Sequence, residues 1–362
     1  MNAAIPTAIL SMAGQSIWID NITRAMLRGA LQRSIAEWSV VGLTSNPTIF
    51  AKAIAGSTDY DAQVAALSSR GMGAEEIFFT LALEDLTAAC DAFAGVHART
   101  GGIDGWCSLE VSPLLAHDAE STVRQAVDLH ARAARKNLYI KVPGTAAGLP
   151  AIEELTFRGI PVNVTLLFDT AQYLAAAEAY LRGLERRAAA GHAPDTSGVA
   201  SLFISRWDAT LDAKLPAELR NRVGLAIGAD AYAAYVALHS SERWLRLESM
   251  GARPQRLLYA STGTKDPALP PALYVEGLAS PRTVNTVPEG TLKAFHAEGR
   301  ITAVLPPDGG PLRSALAGAR AAGIDLDATA AELQDQGAKA FVQSWHALLA
   351  DLGAKGGALA AR

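Results

Sequence analysis

Seven polar residues close, or nearly close, apolar stretches of this chain: Asp20, Thr44, Asn46, Glu110, Lys141, Asn163 and Thr165. Lys141 poses the sharpest question, because it lies inside the aromatic and aliphatic run of KNLYIKVPGT (136–145), just ahead of a Pro-Gly turn. Lysine is almost never fully buried unless it is paired or used. Desolvation lowers its pKa from about 10.4, and a fall of about three units corresponds to roughly 4 kcal/mol against the charged form. A neutral amine attacks a carbonyl to give a Schiff base. The protonated iminium then draws electrons from the neighbouring carbon, so that a C–C bond can break or form. Such chemistry needs a proton shuttle, and Asp20 and Glu110 are the available carboxyl groups. The two requirements conflict, since a nearby carboxylate raises a lysine pKa. Either desolvation dominates, or one acid carries its proton while the amine is free.

Taken one at a time, most of these residues have a plainer reading. A strand-end Asp or Thr more often caps a turn or helix than catalyses. Thr44 and Asn46-Pro47 fit turn chemistry, and Glu110 fits a structural ion-pair partner for Lys141. Strand parity argues for the joint reading. Asn163 and Thr165 are two apart and share a face, as do Tyr139 and Lys141. If those faces line a barrel interior, a lysine, an amide and a hydroxyl meet in one polar pocket.

Positioning them falls to a βα alternation that runs from end to end. Strands are expected at 16–20, 39–44, 105–112, 137–142, 161–168, 198–205, 256–262 and 272–278. Between them lie helical patterns such as 74–96 and 121–135, with apolar residues at three- and four-residue spacing. Eight such units over roughly 250 residues suit an α/β fold of the (β/α)₈ TIM-barrel type, whose reacting groups project from the C-terminal strand ends. No GxGxxG turn supports the rival doubly wound sheet. We expect a single domain over 1–362. The barrel would span about 15–306, and a C-terminal helical extension, about 307–362, would dock on its outside.

Composition narrows the function classes. Of 362 residues, 50% are hydrophobic and 19% charged, which suits a compact fold and excludes general disorder. A formal charge of -4, from 32 basic and 36 acidic side chains, argues against nucleic-acid binding and for small-molecule ligands. Cys90 and Cys107 form no CxxC or metal-ligand spacing, so a reduced, intracellular protein without a zinc site is expected. The first residues lack a signal-peptide pattern, and no stretch is apolar for long enough to suggest a membrane span. A soluble, cytoplasmic protein is the expectation. The sequence carries no signature of oligomeric state.

In order, SIWIDNITR, GLTSNPTIF, SLEVSP, LYIKVPGT, GIPVNVTLLF, ASTGTKDP and YVEGLASPRTVNTVPE closely resemble segments of the transaldolases, in their longer bacterial subgroup. The resemblance covers about residues 15–350. It implies an enzyme of the pentose phosphate pathway needing no metal or cofactor. Such an enzyme moves a dihydroxyacetone unit between phosphorylated sugars through a lysine Schiff base. Lys141 matches the Schiff-base lysine, and Glu110 and Thr165 match the holders of a catalytic water, Glu110 as acid/base for the carbinolamine. Asp20 matches the acid/base for C–C cleavage. Asn46 and Asn163, with Thr44 close by, match residues binding the dihydroxyacetone hydroxyls. Ser201 and Arg206, in SLFISR, and Ser261 match the substrate-phosphate site. Where many transaldolases carry a second phosphate-binding arginine, ASTGTK has a small residue, and Lys265 is the candidate replacement. The related fructose 6-phosphate aldolases are shorter and tend to carry a tyrosine at the position of Glu110. A non-catalytic barrel would be expected to have lost the lysine.

Overall fold

The computed structural model describes residues 5–360. Eight parallel strands form the centre: β1 (Ser16–Asp20), β2 (Val40–Thr44), β3 (Cys107–Glu110), β4 (Leu138–Pro143), β5 (Val162–Leu167), β6 (Gly198–Phe203), β7 (Gln255–Ala260) and β8 (Val284–Val287). Their order is β2-β1-β8-β7-β6-β5-β4-β3. A bridge between Gly42 and Trp106 joins the outer two, with Gly105 N and Leu43 N donating to Val41 O and Trp106 O across the gap. The sheet therefore closes on itself as a (β/α)₈ barrel. Gly42 makes that seam possible, since a Cβ there would lie 2.6 Å from Trp18 Nε1 and 2.8 Å from Trp106 O. Lower in the barrel, Tyr139 stacks on Trp106 and Trp18, at centroid distances of 4.1 and 6.0 Å. These rings fill the interior with apolar bulk, so the polar residues collect at the other end.

Seven expected strands are found with small shifts at their ends. The eighth is not at 272–278. Leu273–Gly277 is a short helix, and β8 is VNTV at 284–287. The apolar density of ALYVEGL mimics a buried strand, whereas β8 buries Asn285 and Thr286, one on each face, and so lacks an apolar run. Periodicity alone does not separate short buried helices from strands. The helical patterns at 74–96 and 121–135 form helices Ala74–Arg99 and Ala119–Ala133.

A second correction concerns the C-terminal region. It is largely helical as expected, ending in one long helix, Leu326–Ala360, with Ala361 and Arg362 outside the described residues. This helix is not confined to the outer wall. Gln334 Nε2 donates to the carbonyls of Gly144 and Leu166, at the C-terminal ends of β4 and β5, so the helix crosses the barrel mouth. Farther along, Trp345 packs against Phe78 and Phe79, and Lys355 bonds Ile54 O and Ser57 O. Among the described residues, no helix is long and apolar enough to cross a membrane.

Candidate active site

Register assembles the site. Glu110, Lys141 and Asn163 are consecutive partners across β3, β4 and β5, so they form one row near the strand ends. Asp20 and Thr44 are partners across β1 and β2. In a parallel barrel, neighbours in register bring their side chains together without any loop to hold them.

Lys141 is 5% exposed. Its Nζ lies 3.0 Å from Glu110 Oε2 and 3.4 Å from Ser45 O, and the face of Phe341 stands 5.5 Å away. Burial pushes the Glu110 carboxyl upward. The Lys141 amine, both as a charge and as a hydrogen-bond donor, opposes this, while the Asp20 charge adds to it. Asp20 is raised for the same first reason. The bond from Thr44 and the charges of Lys141 and Lys265 hold it back. Both acids are thus shifted toward the protonated form.

Asn163 is fully buried, donating to Ser108 Oγ at 2.9 Å and accepting from Ser201 Oγ at 2.7 Å. Ser201 therefore sits in the amide's network inside the barrel. Thr165 is also buried, and its hydroxyl has no partner among the described residues. Directly after it the ladder slips, and Leu166 adopts φ 63°, a left-handed conformation that costs a β-strand leucine about 1–3 kcal/mol. Ser261 takes φ 56° at the end of β7. Strained backbone at two strand ends of the same mouth fits a functional site rather than a packing solution.

Thr44 donates to Asp20 Oδ1 at 2.7 Å and contacts Thr286 Oγ1 at 2.6 Å, so it orients the carboxyl. Asn46 caps the helix Pro47–Ala55 by accepting from Ile49 N, which leaves its Nδ2 without a partner among the described residues. Arg206 lies in the first turn of the helix Ser205–Leu211, 5.6 Å from the Phe203 ring centroid, and burial holds its pKa below the usual guanidinium value. Lys265 is exposed, yet its pKa is lowered, first by partial desolvation and then by the charge of Arg206, with Asp20 opposing and Lys52 adding least. Among the described residues none of these three cations is ion-paired, and together they form a positive region beside Asp20. Ser261 is close by, its hydroxyl 2.9 Å from that of Ser205.

The structure thus gathers Asp20, Thr44, Glu110, Lys141, Asn163, Thr165 and Ser201 on the strands at the C-terminal end of the barrel, with Arg206, Ser261 and Lys265 on the segments that follow β6 and β7. Sequence reasoning missed Ser108, which parity with Glu110 would have found. It missed Thr286 because β8 was misplaced. Nothing in the sequence pointed to Phe341. The arrangement offers an amine nucleophile, a buried and a half-buried acid, and a hydroxyl without a partner among the described residues, a set suited to covalent carbonyl chemistry. Among the described residues, no group of three His, Cys, Asp or Glu side chains is placed to hold a metal ion.

The family described as transaldolase/fructose-6-phosphate aldolase matches residues 17–352. A transaldolase of Neisseria gonorrhoeae is 45% identical over 340 residues, 94% of this chain and 97% of that protein. Transaldolases of Thermobifida fusca and Frankia alni are 44% and 43% identical, each over 95% of this chain and 96% and 95% of their own lengths. The chain belongs to the transaldolase/fructose-6-phosphate aldolase family.

Proposed function

We propose that this single-domain, cytoplasmic enzyme transfers a dihydroxyacetone unit from sedoheptulose 7-phosphate to glyceraldehyde 3-phosphate, giving erythrose 4-phosphate and fructose 6-phosphate. The observation that carries the reading is the buried Lys141 amine, 3.0 Å from Glu110 and in register with Asn163 at the barrel mouth. The amine adds to the ketose carbonyl carbon, C2. Glu110, shifted toward its protonated form, gives a proton to the resulting hydroxyl, which leaves as water, and the iminium forms. Asp20, held in place by Thr44, takes the proton of the C4 hydroxyl. The C3–C4 bond then breaks, its electrons pass into the enamine, and the aldose departs with a new aldehyde. The acceptor aldehyde enters, and the same steps run in reverse.

Asn163, Ser201 and Asn46 are suited to binding the hydroxyls of the three-carbon unit, and Thr165 to holding the water with Glu110. Arg206, Ser261 and Lys265 suit the substrate phosphate, Arg206 because a guanidinium pairs with phosphate oxygens through two parallel bonds. The test is borohydride reduction in the presence of fructose 6-phosphate, followed by mass spectrometry. A three-carbon adduct on Lys141 is expected; active protein with an unmodified Lys141 overturns the mechanism.

A further inference from the structure

The C-terminal helix presents one stripe to the barrel mouth. Gln334 anchors it to Gly144 O and Leu166 O, at 3.2 and 2.9 Å. At Gly337 a Cβ would come within 3.0 Å of Leu166 Cδ2, so glycine lets the helix sit close. Two turns after Gln334, on the same side, Phe341 places its ring over the Lys141 amine. Thr48 Oγ1 then bonds Ser344 Oγ at 2.9 Å, and Trp345 is buried against Phe78. The ring is 7% exposed and is fixed from both sides along the helix. Glu110, Pro143, Leu166 and Phe341 share a cavity of about 10 Å³, no wider than a single water.

We propose that Phe341 is a specificity-determining residue that sets the partition of the bound three-carbon unit between transfer to an aldehyde and loss to water. The inference rests on the Schiff-base reading above. After the donor aldose leaves, the enamine has two fates. It can add through C3 to an acceptor aldehyde, which is transfer. Alternatively, C3 takes a proton, water adds to C2 of the iminium and gives up a proton, and the C–N bond breaks. That second route consumes one water and returns free dihydroxyacetone and the lysine amine. A transferase must slow it. Water addition to C2 ends both routes, so the step that separates them is the protonation of C3. Phe341 slows that step because its buried ring, centred 5.5 Å from Lys141 Nζ, fills the space beside the Schiff-base nitrogen through which a water would carry the proton.

The experiment compares Phe341→Ala and Phe341→Leu with the parent enzyme. Two rates are measured on fructose 6-phosphate: transfer to an acceptor aldehyde, and release of free dihydroxyacetone without acceptor. The release-to-transfer ratio is expected to rise about tenfold in Phe341→Ala, and about threefold in Phe341→Leu, whose smaller side chain fills only part of that space. If Phe341→Ala does not fold, the ratio in Phe341→Leu decides. A ratio equal to the parent's, even with both rates reduced, overturns the proposal, because a merely structural residue would scale both rates together. Borohydride trapping on the parent enzyme separates the two failures. An adduct on Lys141 with an unchanged ratio rejects the role of Phe341 alone, whereas active parent enzyme with no adduct rejects the underlying mechanism and this inference with it.

Discussion

The barrel buries an ion pair at each end, and the two are built to opposite specifications. At the floor, Arg256 faces Asp104 at 3.0 Å. All five of its N–H groups are used, on Arg282 O, Ile103 O, Asp104 Oδ1, Ser16 Oγ and Thr283 O. Those partners sit at or just before the starts of β1, β3 and β8, so with its own strand β7 one guanidinium ties together four strands. At the mouth, Lys141 faces Glu110 at the same distance, yet among the described residues its only other hydrogen bond is a long one to Ser45 O. The Thr165 hydroxyl, on the neighbouring strand, has no partner among the described residues. A saturated pair fixes shape. A pair with spare donors and acceptors leaves room for a substrate to complete it.

The contrast is tested most severely at the mouth. Lys141→Ala should reduce turnover by roughly four orders of magnitude, as removal of a covalent nucleophile does. The thermal midpoint should change little, because Glu110, already pushed upward by burial, can take a proton and remain buried as a neutral acid. A coupled activity assay with a thermal scan decides this. Wild-type turnover would sink the nucleophile assignment. At the floor the expectation reverses. Arg256→Ala strands the Asp104 carboxylate and leaves several acceptors unpaired, at a cost of about 3–5 kcal/mol. The midpoint should fall by about 5–10 °C, while KM of the remaining folded enzyme stays unchanged. A shifted KM at an unshifted midpoint would erase the distinction between the two ends.

A third buried carboxyl lies between these extremes. Asp208 is 2% exposed and accepts bonds from Gly224 N and Tyr274 Oη, but none of the groups acting on it is a cation, and burial raises its pKa to about 6. The folded state then holds this proton more tightly than the unfolded chain. Stability is favoured below about pH 4 and is lost as pH rises through about 6, by on the order of 3 kcal/mol. Asp208→Asn should remove that part of the slope. Urea denaturation at several pH values between 4 and 7 measures it, and parallel curves for the two proteins would refute the assignment.

Much of the mouth was legible because polar residues stand out against apolar strands. Lys141, Glu110 and Asn163 announce themselves by interrupting runs of Val, Ile and Leu, and parallel register does the rest. What escaped has two physical causes. β8 buries a polar residue on each face, so it lacks the apolar signal that marked the other strands, and Thr286 was hidden with it. Phe341 lies on a helix whose spacing predicts a buried face but not what that face covers. Its contact with Lys141 spans 200 residues of chain, a separation at which local pattern is silent.

The smallest expected effects concern cations that belong to neither pair. Arg206 and Lys265 act on each other as like charges, and among the described residues no acid pairs with either. Their field is therefore available to a ligand anion, unlike that of Arg256. Arg206, partly buried and desolvated, should matter more than the exposed Lys265, whose charge salt screens. We expect Arg206→Ala to raise KM for fructose 6-phosphate about tenfold, and Lys265→Ala about threefold at low salt and less at high salt. Neither variant should alter kcat/KM for unphosphorylated fructose, which has no anion to offer. If Lys265→Ala weakens both ketoses equally, its charge acts through Asp20 rather than on the phosphate, and the positive rim reduces to Arg206 alone.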